Sequence, residues 1–94
     1  MAEYRITYWA EIPSLVTARA GDATAKAILP ERFQDAIDEA AMRRGLAGAD
    51  GYLEQWRQGA WEPGDGAPDE LAQAVARRLD EDFPADRLEA MLDG

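Results

Sequence analysis

The stretch Glu3–Ala20, EYRITYWAEIPSLVTARA, decides the class of fold. From Tyr4 to Ala10 the β-branched and aromatic residues dominate, and strict alternation places Tyr4, Ile6 and Tyr8 on one face of a strand with Arg5, Thr7 and Trp9 on the other. The strand therefore carries bulk on both sides. Pro13 has no donor for a ladder and drives Ile12 toward an extended conformation, which predicts a turn at Glu11–Ser14. Beyond it, Leu15, Thr17 and Arg19 alternate with Val16, Ala18 and Ala20 in a second strand. Gly21–Asp22 is a two-residue hairpin signal, and it leads into a third run, Ala23–Leu29. The expectation is a small three-stranded antiparallel sheet over about residues 3–29.

Helical grammar follows. Pro30 suits a first turn and Glu31 complements the positive helix end; Phe33, Ile37 and Ala40/Ala41 recur at helical spacing before the Arg43-Arg44-Gly45 stop, predicting a helix over about 30–45. Asp50 is a natural N-cap for a second helix over about 50–58, with Leu53 and Trp56 facing inward. Residues 62–68, EPGDGAP, read as a linker. After it, Leu71, Val75 and Leu79 stand at i, i+4, i+8, and a final short helix follows Pro84 with Leu88, Met91 and Leu92. These stripes are too thin for a core of their own, so the expected organisation is an α+β core domain at 1–62 and an acidic helical tail at 63–94 that covers either the core or a partner.

Composition restricts the chemistry. With 94 residues the chain suits one domain and one modest core. It contains no cysteine and no histidine, and also no asparagine, while Ser14 and Lys26 are the lone serine and lysine. Thiolate catalysis, disulfides, cysteine zinc sites and a Ser/His/Asp triad cannot be assembled within it. No catalytic, cofactor-binding or metal-binding residue is assigned. Of the net charge of −9, residues 1–29 contribute nothing, 30–62 contribute −3 and 63–94 contribute −6. That field repels phosphate backbones and anionic membranes, so neither nucleic acid nor lipid is an expected partner. The N-terminal residues lack a signal-peptide pattern and no run reaches membrane-spanning length, which gives a cytoplasmic expectation.

Two constellations compete for function. Lys26 to Phe33 followed by two helices separated by Gly45-Leu-Ala-Gly48 looks like a ribbon-helix-helix repressor, in which strands of two subunits pair and enter the DNA major groove. Its reading strand would offer one cation, Lys26, in a strongly acidic chain. The acidic groups Glu31, Asp35, Asp38, Glu39 and Asp80–Asp82 lack the spacing of a calcium loop and read as solvated faces. The aromatic residues remain. A single helical layer cannot bury both faces of the first strand, so an interaction surface is assigned to Tyr8 and Trp9 with Arg5 and Arg19, together with the Leu71, Val75 and Leu79 stripe. The expected partner is another protein, and a homodimer is compatible with the pattern.

The ordered set Tyr8-Trp9, Ile12-Pro-Ser14, Val16-Thr-Ala-Arg19, Leu29 to Asp38, Ala41-Met-Arg43, Gly45 to Gly48 and Asp50 to Trp56 resembles the small bacterial "virulence factor" domain family over about residues 4–58. None of these words is a catalytic signature. The resemblance implies short stand-alone proteins encoded near folate- and corrinoid-dependent methyl-transfer enzymes, and hence an accessory or adaptor role in one-carbon metabolism.

Overall fold

A computed structural model of the chain describes residues 2–93. It is an α+β fold in which one five-stranded antiparallel sheet carries its helices on one side. Strands β1 (Ala2–Trp9), β2 (Ile12–Ala20) and β3 (Ala23–Ile28) form the expected meander. The β2–β3 turn is Gly21–Asp22, with Gly21 at φ 60°, the left-handed conformation for which glycine lacks a Cβ penalty.

The first turn differs from expectation. Trp9 pairs with Ile12, so the turn is Ala10–Glu11 and Pro13 lies inside β2. The register then shifts, Thr7 opposing Leu15 but Tyr8 opposing Pro13, and the missing proline donor is absorbed at this bulge. Ala10 sits at φ 54°, which costs a non-glycine residue roughly 1–2 kcal/mol. The strained tip is held on both sides: Ala10 N–H donates to Gln55 C=O at 2.8 Å, and Arg57 Nε donates to Ala10 C=O at 2.8 Å.

Helix α1 (Glu31–Arg43) buries Phe33, Ala36, Ile37, Ala40 and Ala41, as its periodicity requires. The second helix is shorter than expected: α2 covers Ala49–Glu54, and Trp56–Gln58 is strand β4, paired with Thr7–Trp9. Glu62–Gly64, expected as linker, is strand β5 and pairs with Ala2–Tyr4. Both corrections have one cause. The second edge of β1 exposes donors and acceptors, and two short segments satisfy them in turn; Pro63 is tolerated because the strand it interrupts is an outer one.

Helix α3 (Pro68–Asp82) lies across β1, β2 and β3, burying Leu71, Ala72, Val75, Ala76 and Leu79. A Cβ on Gly64 would come within 2.7 Å of the Leu71 methyls, so β5 and α3 touch backbone to side chain. Helix α4 (Ala85–Ala90) packs on α1 through Leu88. Helix α3 thus roofs the sheet, and α4 closes on α1 beside it. Two arginines of α1 and its cap fasten this roof. Arg32 donates to the Asp80 and Phe83 carbonyls, at 2.8 and 3.1 Å, at the end of α3. Arg44 donates to the Met91 and Leu92 carbonyls after α4. Each guanidinium sits where the helix dipole favours positive charge. Among the described residues, no helix is long and apolar enough to cross a membrane.

Candidate binding surface

Register divides the meander into two faces. Directly opposed residues share a face, so the helix-covered side carries the rows Ala2–Ala20–Ala23, Tyr4–Ala18–Ala25 and Ile6–Val16–Ala27. The open side carries Glu3–Arg19–Thr24, Arg5–Thr17–Lys26 and Thr7–Leu15–Ile28. Among the described residues no helix packs on these last three rows; a large side chain from the Gly59–Trp61 link between β4 and β5 lies on them.

That side chain is Trp61. Its ring lies 4.5 Å from the Arg5 guanidinium carbon and 3.7 Å from that of Arg19, so both cations bear on one indole. Each such contact contributes about 0.5–1 kcal/mol where water has access. Arg19 is also paired with Glu3 at 2.6 Å. Arg5 has no such carboxylate among the described residues, and its Nε is buried without a hydrogen-bond partner. At the far end of β1, the Arg57 guanidinium lies 4.4 Å from the Tyr8 ring. The open face of β1–β3 thus holds three cations and one acid in a chain of net charge −9. The acids of this protein are gathered elsewhere.

Among the residues assigned from sequence, Arg5 and Arg19 are brought together on Trp61, while Tyr8 stands apart at the far end of β1 with Arg57. Trp9 is not part of the surface. It is 0% exposed, opposes the equally buried Ile12, donates from Nε1 to Tyr52 C=O at 2.9 Å and lies 5.7 Å from the Tyr52 ring. The bulge beside Tyr8 breaks the alternation that would have set Trp9 with Arg5. Leu71, Val75 and Leu79 are likewise buried, at 7%, 3% and 7%, beneath the sheet. Their stripe covers the chain's own core, so it is not available to a partner. Trp61, one of the aromatic candidates, was not placed on this surface from sequence, since a tryptophan between Gly59-Ala60 and Glu62-Pro63 gives no periodic signal of its orientation.

Elsewhere the charged groups are structural. Glu11 at the β1–β2 tip is bound by the Arg44 guanidinium, one oxygen at 3.2 Å from Nη1. The Arg44 hydrogen bond holds the Glu11 carboxyl below its ordinary range, with burial opposing and the Arg44 charge assisting. Because the folded value is depressed, this pairing stabilises the protein above the ordinary glutamate value of about 4.3 and is lost as pH falls through the lower folded value. Glu11 is 46% exposed, so screening keeps the effect small. Melting temperatures should therefore favour the wild type over Glu11→Gln at neutral pH, with the gap closing below about pH 4.3. A gap that persists unchanged into strong acid would remove Glu11 ionisation as its cause. Among the described residues no group of Asp and Glu side chains converges on a metal-sized site.

A family model described as "Virulence factor" matches residues 7–92. The match runs past the resemblance at 4–58 and takes in α3 and α4, in keeping with their packing on the sheet and on α1. Neither the curated proteins nor the solved structures yield a match.

Proposed function

Given that this chain belongs to the virulence factor family, whose description names no substrate and no reaction, we propose that it is a noncatalytic protein-interaction module, an accessory or adaptor subunit. The observation that carries the reading is the uncovered sheet face: Arg5, Arg19 and Lys26 with Trp61 laid over the first two, in a chain whose acids lie elsewhere. Histidine and cysteine are absent, so the groups most often used as base and nucleophile are not available to this face. Arginine and tryptophan are, by contrast, the side chains that most often dominate protein interfaces. The finer assignment, to a methyl-transfer or virulence-related system, rests on the family resemblance alone.

A DNA-binding regulator of ribbon-helix-helix type is less well supported. Lys26 is the single cation on the outer face of β3, and β3 is the third strand of a meander whose neighbouring strands already belong to the sheet.

Trp61→Ala and the double change Arg5→Glu/Arg19→Glu test the proposal. Both alter half-exposed side chains, and Trp61→Ala, which removes both cation contacts, should cost about 1–2 kcal/mol. Proteins that co-purify with the wild type at native expression should be lost with either variant. Retention of the same set by both folded variants would show that this face is not the interface.

A further inference from the structure

The sheet has one long unpaired edge, β3. Leu29 N–H donates to Ser14 C=O at 3.3 Å, and the same register continues through Ala27 opposite Val16, Ala25 opposite Ala18 and Ala23 opposite Ala20. In an antiparallel ladder the residues bonded to one neighbour alternate with those aimed away from it. Thr24, Lys26 and Ile28 therefore turn their N–H and C=O groups outward, away from β2. This edge contains no proline and its pairing with β2 no register shift. The other edge of the sheet is two three-residue pieces, one holding Pro63. Folded proteins commonly blunt or cover an edge of the first kind.

Both sides of this edge are furnished. On the open face stand the exposed side chains of Thr24, Lys26 and Ile28, the last 85% exposed. On the helix side, Pro30 with Gln73, Ala76, Arg77 and Asp80 of α3 line a groove that reaches the strand at Ile28. Asp80 is engaged by Arg32. Lys26 and Arg77 are exposed, and among the described residues neither has a carboxylate within ion-pair distance. Two uncommitted cations thus flank one uncommitted ladder, one on each face of the sheet.

We propose that the β3 edge accepts an extended acidic segment of a partner protein as an additional strand. The inference rests on the reading of this chain as an interaction module and names the chemistry of its partner. Main-chain bonds to Thr24, Lys26 and Ile28 supply affinity, and alternate side chains supply selectivity. A carboxylate on the open face meets Lys26, one on the other face meets Arg77, and an apolar neighbour covers Ile28. A second copy of this chain fits the edge poorly. Twofold pairing of β3 with itself would gather both Lys26 side chains on one face of the seam and both Arg77 side chains beneath it, and like charges across a strand pair destabilise it. An edge lysine discourages self-pairing, yet here it leaves the strand open to a segment of opposite charge.

The probe is a fluorescein-labelled octapeptide, Glu-Glu-Val-Val repeated twice, which as a strand offers a carboxylate and an apolar side chain on each face, with the Glu-Glu-Pro-Pro repeat of equal charge as control. The first should bind saturably at ~0.15 M salt, and the second, which has few ladder donors, should not. In the wild type, amide hydrogen exchange at Thr24, Lys26 and Ile28 should slow when the Glu-Val peptide is present. Lys26→Pro removes an outward N–H together with the Lys26 charge and should weaken binding more than about tenfold, beyond the equivalent of one hydrogen bond; Lys26→Glu with Arg77→Glu should also weaken it, with the strand's own ladder intact. No binding of the Glu-Val peptide, equal binding of both peptides, or protection confined to other residues would overturn the edge proposal. Binding that survives the β3 changes but fails in Trp61→Ala would overturn it too, while leaving the interaction-module reading and its open sheet face in place. Sedimentation of the wild type as a dimer that Lys26→Pro dissociates would mean that a second copy, and not an acidic strand, occupies the edge.

Discussion

Replacing Trp9 with alanine should destabilise the fold by about 3–5 kcal/mol, the usual cost of emptying a buried aromatic site. The residue is wholly buried and opposes Ile12 on one side and Trp56 on the other. It also ties β1 to α2 through its indole N–H, and its loss strands the Tyr52 carbonyl that accepts that bond. A domain of this size holds only about 5–15 kcal/mol in total, so the melting temperature should fall by at least about 12 °C. Trp9→Phe keeps most of the ring volume and should cost less than half as much, chiefly through the unpaired carbonyl. Thermal denaturation followed by circular dichroism separates these cases. A Trp9→Ala melting temperature within a few degrees of the wild type would contradict a core role. Trp61→Ala, with its ring on the open face, serves as the comparison in which less stability is lost.

A chain ended after Ala67 should not fold. Division into a core at 1–62 and a tail would let the first part stand alone, but α3 is the helix that covers the meander. Removing it exposes Tyr4, Val16, Ala18 and Ala27 and takes away Leu71, Val75 and Leu79. Three such side chains contribute about 5–9 kcal/mol by burial, comparable with the whole stability of a small domain. Arg32 and Arg44 would also lose the helix-end carbonyls they bind. The shortened chain should show no cooperative melting transition and poor dispersion of amide proton resonances. A sharp transition with wild-type-like dispersion would establish that residues 68–94 are dispensable to the sheet.

The sequence was most legible where one physical cause acts alone. Gly21–Asp22 demands a tight turn, Pro30 starts a helix, and the periodicity of Phe33, Ile37 and Ala40 can be satisfied only by a buried helical face. It was least legible where distant segments compete for the same partner. Nothing local to Trp56–Gln58 or Glu62–Gly64 marks them as strands; they become so because β1 has an unpaired edge. Trp9 shows how a local irregularity misleads: alternation is sound as far as Thr7, and beyond it a bulge opposite a proline on the neighbouring strand changes which way the side chains face. At the candidate surface, Arg5 and Arg19 were visible from their alternate positions on adjoining strands. Trp61 was not, since its place over them depends on how two short strands divide one edge.

The segregation of charge across the sheet has a consequence for rates of encounter. An acidic partner approaching from afar meets the field of the whole molecule, which is negative, and is repelled. At ~0.15 M salt the screening length is about 8 Å, close to the thickness of one layer of structure. The distant acids then fade while Arg5, Lys26 and Arg77, at contact range, continue to attract. Association with the proposed acidic strand should be slow in very dilute buffer, quicken as salt hides the far side, and slow again once salt screens the near side as well. An association rate that peaks at ~0.15 M salt is the expected signature of this geometry.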